Sequence, residues 1–137
     1  MTEKELIQKA KEALPFAYAP YSGYSVGAAL LTADGSVYTG VNIENASYGA
    51  TLCAERVAAF KAVSEGHTKF EALALVTGSG DFPTPCGMCR QVLSEFCDGD
   101  MRIILHNDEK TEIWRLEELL PLSFTGKNLR EAASHGI

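Results

Sequence analysis

Leu6, Ala10, Ala13 and Leu14 recur at helical spacing, so residues 3–14 are expected to form an amphipathic helix. Pro15 and the Ala19-Pro20-Tyr21-Ser22-Gly23 stretch break it. Residues 25–32 are nearly all small or apolar, which predicts a strand covered on both faces. Asp34-Gly35 is a hairpin turn signal, and residues 37–43 return as a second strand. A loop over 44–51 leads to a helix over 54–64, with Val57, Phe60 and Val63 apolar. Residues 72–76 read as a buried third strand and 78–85 as loop. Cys89, Val92, Leu93 and Phe96 fall at i, i+3, i+4 and i+7, so 87–96 reads as a helix. Strands are expected at 102–106 and 112–114, then a short helix at 116–120 stopped by Pro121. Residues 127–137 are expected to be helical before fraying.

The element order is α-β-β-α-β-α-β-β-α, and strands apolar on both faces need helices on both sides. The fold class is therefore α/β, a three-layer α/β/α sandwich with a mixed five-stranded sheet. The hairpin makes the first strand pair antiparallel, and helical crossovers make the middle strands parallel. Residues 1–137 show no internal repeat, low-complexity tract or long linker, so one domain is expected over the whole chain. Trp114 and Phe96 read as core residues.

Composition narrows the function. A formal charge of −6 disfavours a polynucleotide partner, because phosphate-tracking proteins are usually basic. A small, neutral substrate fits better. No run of 18 apolar residues exists, so no membrane span is expected. Met1-Thr2-Glu3-Lys4-Glu5 is charged and lacks the apolar core of a secretory signal. Four cysteines without such a signal favour metal or catalysis over disulfides, and a reducing, cytoplasmic setting.

Three of those cysteines sit with one glutamate in Cys53-Ala54-Glu55 and Pro85-Cys86-Gly87-Met88-Cys89. Three thiolates can hold a zinc ion and leave its fourth position for water, whereas a structural site is closed by a fourth ligand. Glu55, two residues after Cys53, is placed to move that water's protons. Both motifs fall where a loop becomes a helix, where unpaired N–H groups and the helix dipole stabilise thiolates. Three thiolates on one Zn²⁺ leave a net −1, so a cation is expected against the sulfurs. Arg56 and Arg90 each follow a site residue, and Arg56 is the first choice because it starts the same helix as Cys53. Cys97 has no partner motif, and His67, His106 and His135 read as surface or structural. C-x-E followed by P-C-x-x-C matches the zinc-deaminase pattern, with Cys in place of His.

Over essentially its full length the sequence resembles the small, homotetrameric, zinc-dependent cytidine deaminases of the cytidine/deoxycytidylate deaminase superfamily. The resemblance is carried by Ala19-Pro20-Tyr21-Ser22, Val26-Gly27-Ala28-Ala29-Leu30, Gly40-Val41-Asn42-Ile43-Glu44-Asn45-Ala46, Cys53-Ala54-Glu55-Arg56, Pro85-Cys86-Gly87-Met88-Cys89-Arg90-Gln91 and Leu119-Leu120-Pro121. It implies that Cys53, Cys86 and Cys89 ligate one zinc per subunit and that Glu55 shuttles protons. It implies that Asn42 and Glu44 bind the ribose hydroxyls, and that the Ala54 N–H holds the pyrimidine 2-oxo group. Tyr24 would pack on the base edge. Phe124, and also Tyr48, would act across a subunit boundary in a homotetramer. Two departures stand out: Tyr24 replaces a common Phe, and Leu122-Ser123-Phe124 replaces Gly-Ala-Phe.

The activity so implied is hydrolytic deamination of cytidine and deoxycytidine to uridine and deoxyuridine, with ammonia released, in pyrimidine salvage. The blasticidin S deaminases share C-x-E and P-C-x-x-C-R-Q, and the Asn42-Ile43-Glu44-Asn45 stretch favours cytidine over them. A non-catalytic zinc-binding module would need a fourth ligand, and no further Cys or His stands at suitable spacing.

Overall fold

The computed structural model describes residues 1–78 and 80–134, with side chains to residue 130. Helix α1, Glu3–Ala13, starts at a capping box: Thr2 Oγ1 accepts from Glu5 N–H at 3.1 Å and the Glu5 carboxylate accepts from Thr2 N–H at 3.3 Å. Its buried residues are Leu6 and Ala10, one turn apart. Pro15 then sits in a 3-10 turn over Leu14–Phe16. Strands β1 (Val26–Thr32) and β2 (Val37–Val41) form the expected hairpin, with Gly35 at φ +91° in the turn. Helix α2 (Ala54–Ser64), strand β3 (Phe70–Thr77), helix α3 (Gly87–Ser94), and strands β4 (Arg102–His106) and β5 (Thr111–Arg115) follow. Helices α4 (Leu116–Leu119) and α5 (Gly126–Ser134) end the described chain. The expected helix over 127–137 starts one residue earlier, and its last three residues lie outside the described ones.

The sheet order is β2-β1-β3-β4-β5. Residue alternation in the central strands divides two cores. Ala28, Leu30, Leu73, Leu75, Ile103 and Leu105 face α2 and α3, while Ala29, Leu31, Ala72, Ala74, Val76 and Ile104 face α1. Three layers result, as expected. The expected parallel pairing holds for β3 and β4, but β1 and β3 are antiparallel. The reason is topological. The chain leaves β2, crosses through α2 and steps over β1, so β3 runs parallel to β2 and opposite to the strand it joins.

Ala54, Ala58, Ala59 and Ala62 are fully buried, so α2 lies close on the sheet. The approach is tightest at Gly40 of β2, where a Cβ would lie 2.4 Å from the Ala54 carbonyl oxygen and 2.6 Å from the Ala58 nitrogen. Only glycine fits there without moving the start of α2. Phe96 packs on the core against Phe70, ring centroids 5.2 Å apart. Trp114 does not: it lies exposed on the outermost strand β5, its indole N–H donating to Glu112 at 3.0 Å. No helix among the described residues is long and apolar enough to cross a membrane.

Candidate active site

Cys53 is the N-cap of α2 and Cys86 the N-cap of α3, and both hold extended backbone angles. The two helix starts converge. Cys53 Sγ lies 3.8 Å from Cys86 Sγ, and Cys86 Sγ lies 3.3 Å from Cys89 Sγ. All three sulfurs are within 4.8 Å of one another, and no fourth His, Cys, Asp or Glu joins them among the described residues. Cys86 Sγ also accepts the Cys89 N–H at 3.4 Å, the usual capping bond of a helix start. Tetrahedral zinc with Zn–S bonds of about 2.3 Å needs sulfurs about 3.8 Å apart. The donor set therefore fits zinc in kind, and the Cys53–Cys86 separation matches that spacing.

The surroundings polarise these groups. The Cys53 thiol is pulled down to about 5, first by its hydrogen bond with Cys89 and then by Arg56. Cys89 moves the other way, since it is the donor held beside Cys53 in a buried place. Glu55, on the first turn of α2, is only 5% exposed. Burial, the largest cause, pushes its carboxyl up to about 7, and the neighbouring Cys53 adds to the rise. Such a group exchanges protons near neutrality. Arg56 Nη2 donates to Cys53 Sγ at 3.6 Å and to the Thr51 carbonyl at 3.5 Å. Arg90 instead donates to the carbonyls of Pro85 and Leu119, at 2.9 and 2.8 Å. Of the two arginines, the structure puts Arg56 against sulfur.

Cys53, Cys86, Ala54 and Glu55 line a cavity of about 290 Å³ together with Asn42, Glu44, Ser22 and Tyr24. A larger hollow, about 680 Å³, lies at the other end of β3 around Phe70 and Met101, away from the sulfurs. Asn42 is 8% exposed; its Oδ1 accepts from Val26 N–H at 2.9 Å and its Nδ2 donates to the Tyr24 carbonyl at 2.7 Å. Glu44 accepts the N–H groups of Tyr21 and Ser22 and the Ser22 hydroxyl. That hydroxyl is the main reason its carboxyl sits below the ordinary range. The Ala54 N–H belongs to the first turn of α2, where amides have no intrahelical acceptor.

Two expected site residues do not line this cavity within one chain. Tyr48 is 77% exposed and meets Tyr21 edge-on, ring centroids 6.1 Å apart. Phe124 is 59% exposed, and its carbonyl accepts from Gln91 Nε2 at 2.9 Å. The cavity also includes residues that motif spacing did not single out: Ser22, Thr51, Leu52, Pro83 and Thr84. The one available signal was the Pro83-Thr84-Pro85 run before Cys86, since both prolines are fully buried. The remaining candidates stay apart. His67 pairs with Asp34 at 3.2 Å, and His106 bonds Thr111 at 2.7 Å. His135 lies outside the described residues. Cys97 is half-buried, and burial pushes its thiol up to about 11.

Similarity to known proteins runs the length of the chain. Residues 1–106 match the family model described as the cytidine and deoxycytidylate deaminase zinc-binding region. A cytidine deaminase of Sporosarcina psychrophila is 48% identical over 134 residues, covering 97% of this chain and 98% of that protein. One from Halalkalibacterium halodurans is 48% identical over 133 residues, covering 96% and 100%. The crystal structure of a Burkholderia pseudomallei cytidine deaminase superposes with a TM-score of 0.86 at 44% identity, covering 90% of this chain and all of that one. The sulfur triad, the buried glutamate beside it and this full-length similarity agree, and the chain belongs to the cytidine and deoxycytidylate deaminase family.

Proposed function

We propose that this protein hydrolyses cytidine and deoxycytidine to uridine and deoxyuridine, releasing ammonia. A cluster of three thiols, two of which (Cys53 and Cys86) line one cavity with the buried Glu55 carboxyl, Asn42 and Glu44, carries this proposal. Zinc held by Cys53, Cys86 and Cys89, one per subunit, would supply Lewis-acid activation of water. Glu55 takes the proton released as water adds to C4 and delivers it to the ring N3. It then takes the proton of the new C4 hydroxyl and hands it to the C4 amine, which leaves as ammonia as the C4 carbonyl forms. A carboxyl near 7 can both accept and return a proton at neutral pH. The Ala54 N–H donates to the 2-oxo group. Asn42 and Glu44 bond the sugar hydroxyls, and Tyr24 packs along the base edge.

The rest of the proposal concerns the setting. Residues 1–137 act as one domain in a cytoplasmic enzyme of pyrimidine salvage. The active form is a homotetramer in which Phe124 and Tyr48 complete a neighbour's site. Its support is the exposed apolar end of the chain, where Leu122 holds a positive φ of 51° with its side chain in solvent beside Phe124. Spectrophotometric assay of cytidine, deoxycytidine and blasticidin S side by side tests the substrate. Conversion of the two nucleosides with ammonia release is expected. Turnover of blasticidin S without cytidine would overturn the proposal.

Arg56 offsets the surplus negative charge of the thiolates. Arg56→Ala is expected to keep the fold and lose about 10–100-fold in zinc affinity or kcat/KM. Competition with a metal indicator, together with steady-state kinetics, measures both. Wild-type values in each would remove Arg56 from the site.

A further inference from the structure

The loop between α1 and β1 bonds both side chains proposed to hold the sugar. Tyr24 N–H donates to Ser22 Oγ at 3.0 Å, which leaves the Ser22 proton free to point at Glu44. The Ser22 hydroxyl donates to Glu44 Oε2, although the two residues are 22 apart in sequence. Tyr21 and Ser22 N–H groups donate to Glu44 Oε1 at 2.9 and 3.1 Å. On the other side, the Tyr24 carbonyl accepts from Asn42 Nδ2, and Val26 N–H donates to Asn42 Oδ1. Gly23, at φ +69°, allows the tight turn that brings Ser22 and Tyr24 together.

Valence counting gives this arrangement a meaning. A carboxylate offers about four acceptor sites. Tyr21 N–H, Ser22 N–H and Ser22 O–H occupy three on Glu44. About one remains, and Glu44 lines the cavity. Asn42 likewise keeps about one donor and one acceptor after its two backbone bonds.

We infer that Ser22 is a positioning residue for sugar recognition: its hydroxyl, itself held by the Tyr24 N–H, locks the Glu44 carboxylate so that one acceptor meets a sugar hydroxyl. The inference rests on the deaminase proposal above and deepens it. Ser22 acts through Glu44, so its effect falls on nucleoside binding and not on proton transfer at Glu55. A carboxylate freed of that bond must be immobilised each time a nucleoside binds, which weakens affinity.

Steady-state kinetics on cytidine test this with Ser22→Ala, Ser22→Thr, Glu44→Ala and the Ser22→Ala/Glu44→Ala double variant. Ser22→Ala is expected to raise KM about tenfold, with kcat within about threefold of wild type. Calorimetric Kd for the product uridine should rise by the same factor, independently of turnover. Ser22→Thr, which keeps the hydroxyl, should recover most of the affinity. On the Glu44→Ala background, removing the Ser22 hydroxyl should change KM by less than about twofold, since the two groups act as one. A wild-type KM in Ser22→Ala overturns the inference. So does a tenfold loss that persists undiminished without Glu44, which would mark a structural effect. A wild-type protein inert toward cytidine refutes the deaminase proposal, and this inference with it. Normal Ser22 kinetics in an active enzyme refute this inference alone.

Discussion

Glu55→Gln is expected to lower kcat for cytidine by at least about 10² to 10⁴, with the fold and the zinc content unchanged. Glutamine keeps the size and much of the hydrogen bonding of the side chain but cannot carry a proton between water, N3 and the departing amine. One group serves each of those transfers, so the loss should reach or pass the upper figure. Activity and metal content measured on one preparation, with circular dichroism for the fold, check these statements. Turnover within tenfold of wild type would remove Glu55 from the proton path.

Stripping the metal with a chelator is expected to abolish cytidine turnover, and added zinc should restore it. Magnesium should not, because a tripod of sulfurs suits a borderline-soft ion and not a hard one. Stability should fall as well. A ligand bound only by the native state, present at 1,000 times its Kd, contributes about 4.1 kcal/mol. Its removal should lower the melting temperature by several degrees. The geometry gives the reason: Cys86 Sγ lies 3.8 Å from Cys53 Sγ and 3.3 Å from Cys89 Sγ across two separate helix starts, which an ion held there would tie together. Thermal melting and an activity assay on stripped and reloaded protein read both effects. Full activity in protein verified free of metal would refute the role given to the cysteines.

The sulfur site was legible because its signals are local. Cys53-Ala54-Glu55 and Pro85-Cys86-Gly87-Met88-Cys89 each lie within one turn, and helix starts bring them together. Strand and helix positions were legible for the same reason, since alternation and helical spacing are properties of short windows. What escaped was non-local. The antiparallel pairing of β1 with β3 depends on which edge of β1 the chain joins after α2, and no residue of either strand encodes that choice. Trp114 was misplaced because an outer strand and an inner one share the same propensities. Ser22 was read as part of a helix breaker, because its partner Glu44 lies far along the chain. Gly40 fell inside the expected strand over 37–43, and nothing local showed that a helix backbone lies directly against it. Tyr48 and Phe124 sit exposed outside the cavity of their own chain, and no local sequence signal shows that.

The outermost position of β2 has a further meaning. This strand is paired on one side only, and it seats the start of α2 at Gly40 and leads directly into Asn42 and then Glu44. Local opening begins most readily at such margins, where the fewest bonds must break. Fraying there would loosen the carrier of Cys53 and Glu55 and scatter Asn42 and Glu44, while β1, β3 and β4 stayed zipped. Gentle warming would thus silence the enzyme well before it melts, and a binding partner or bound nucleoside that clasps this border would guard its chemistry more than its architecture.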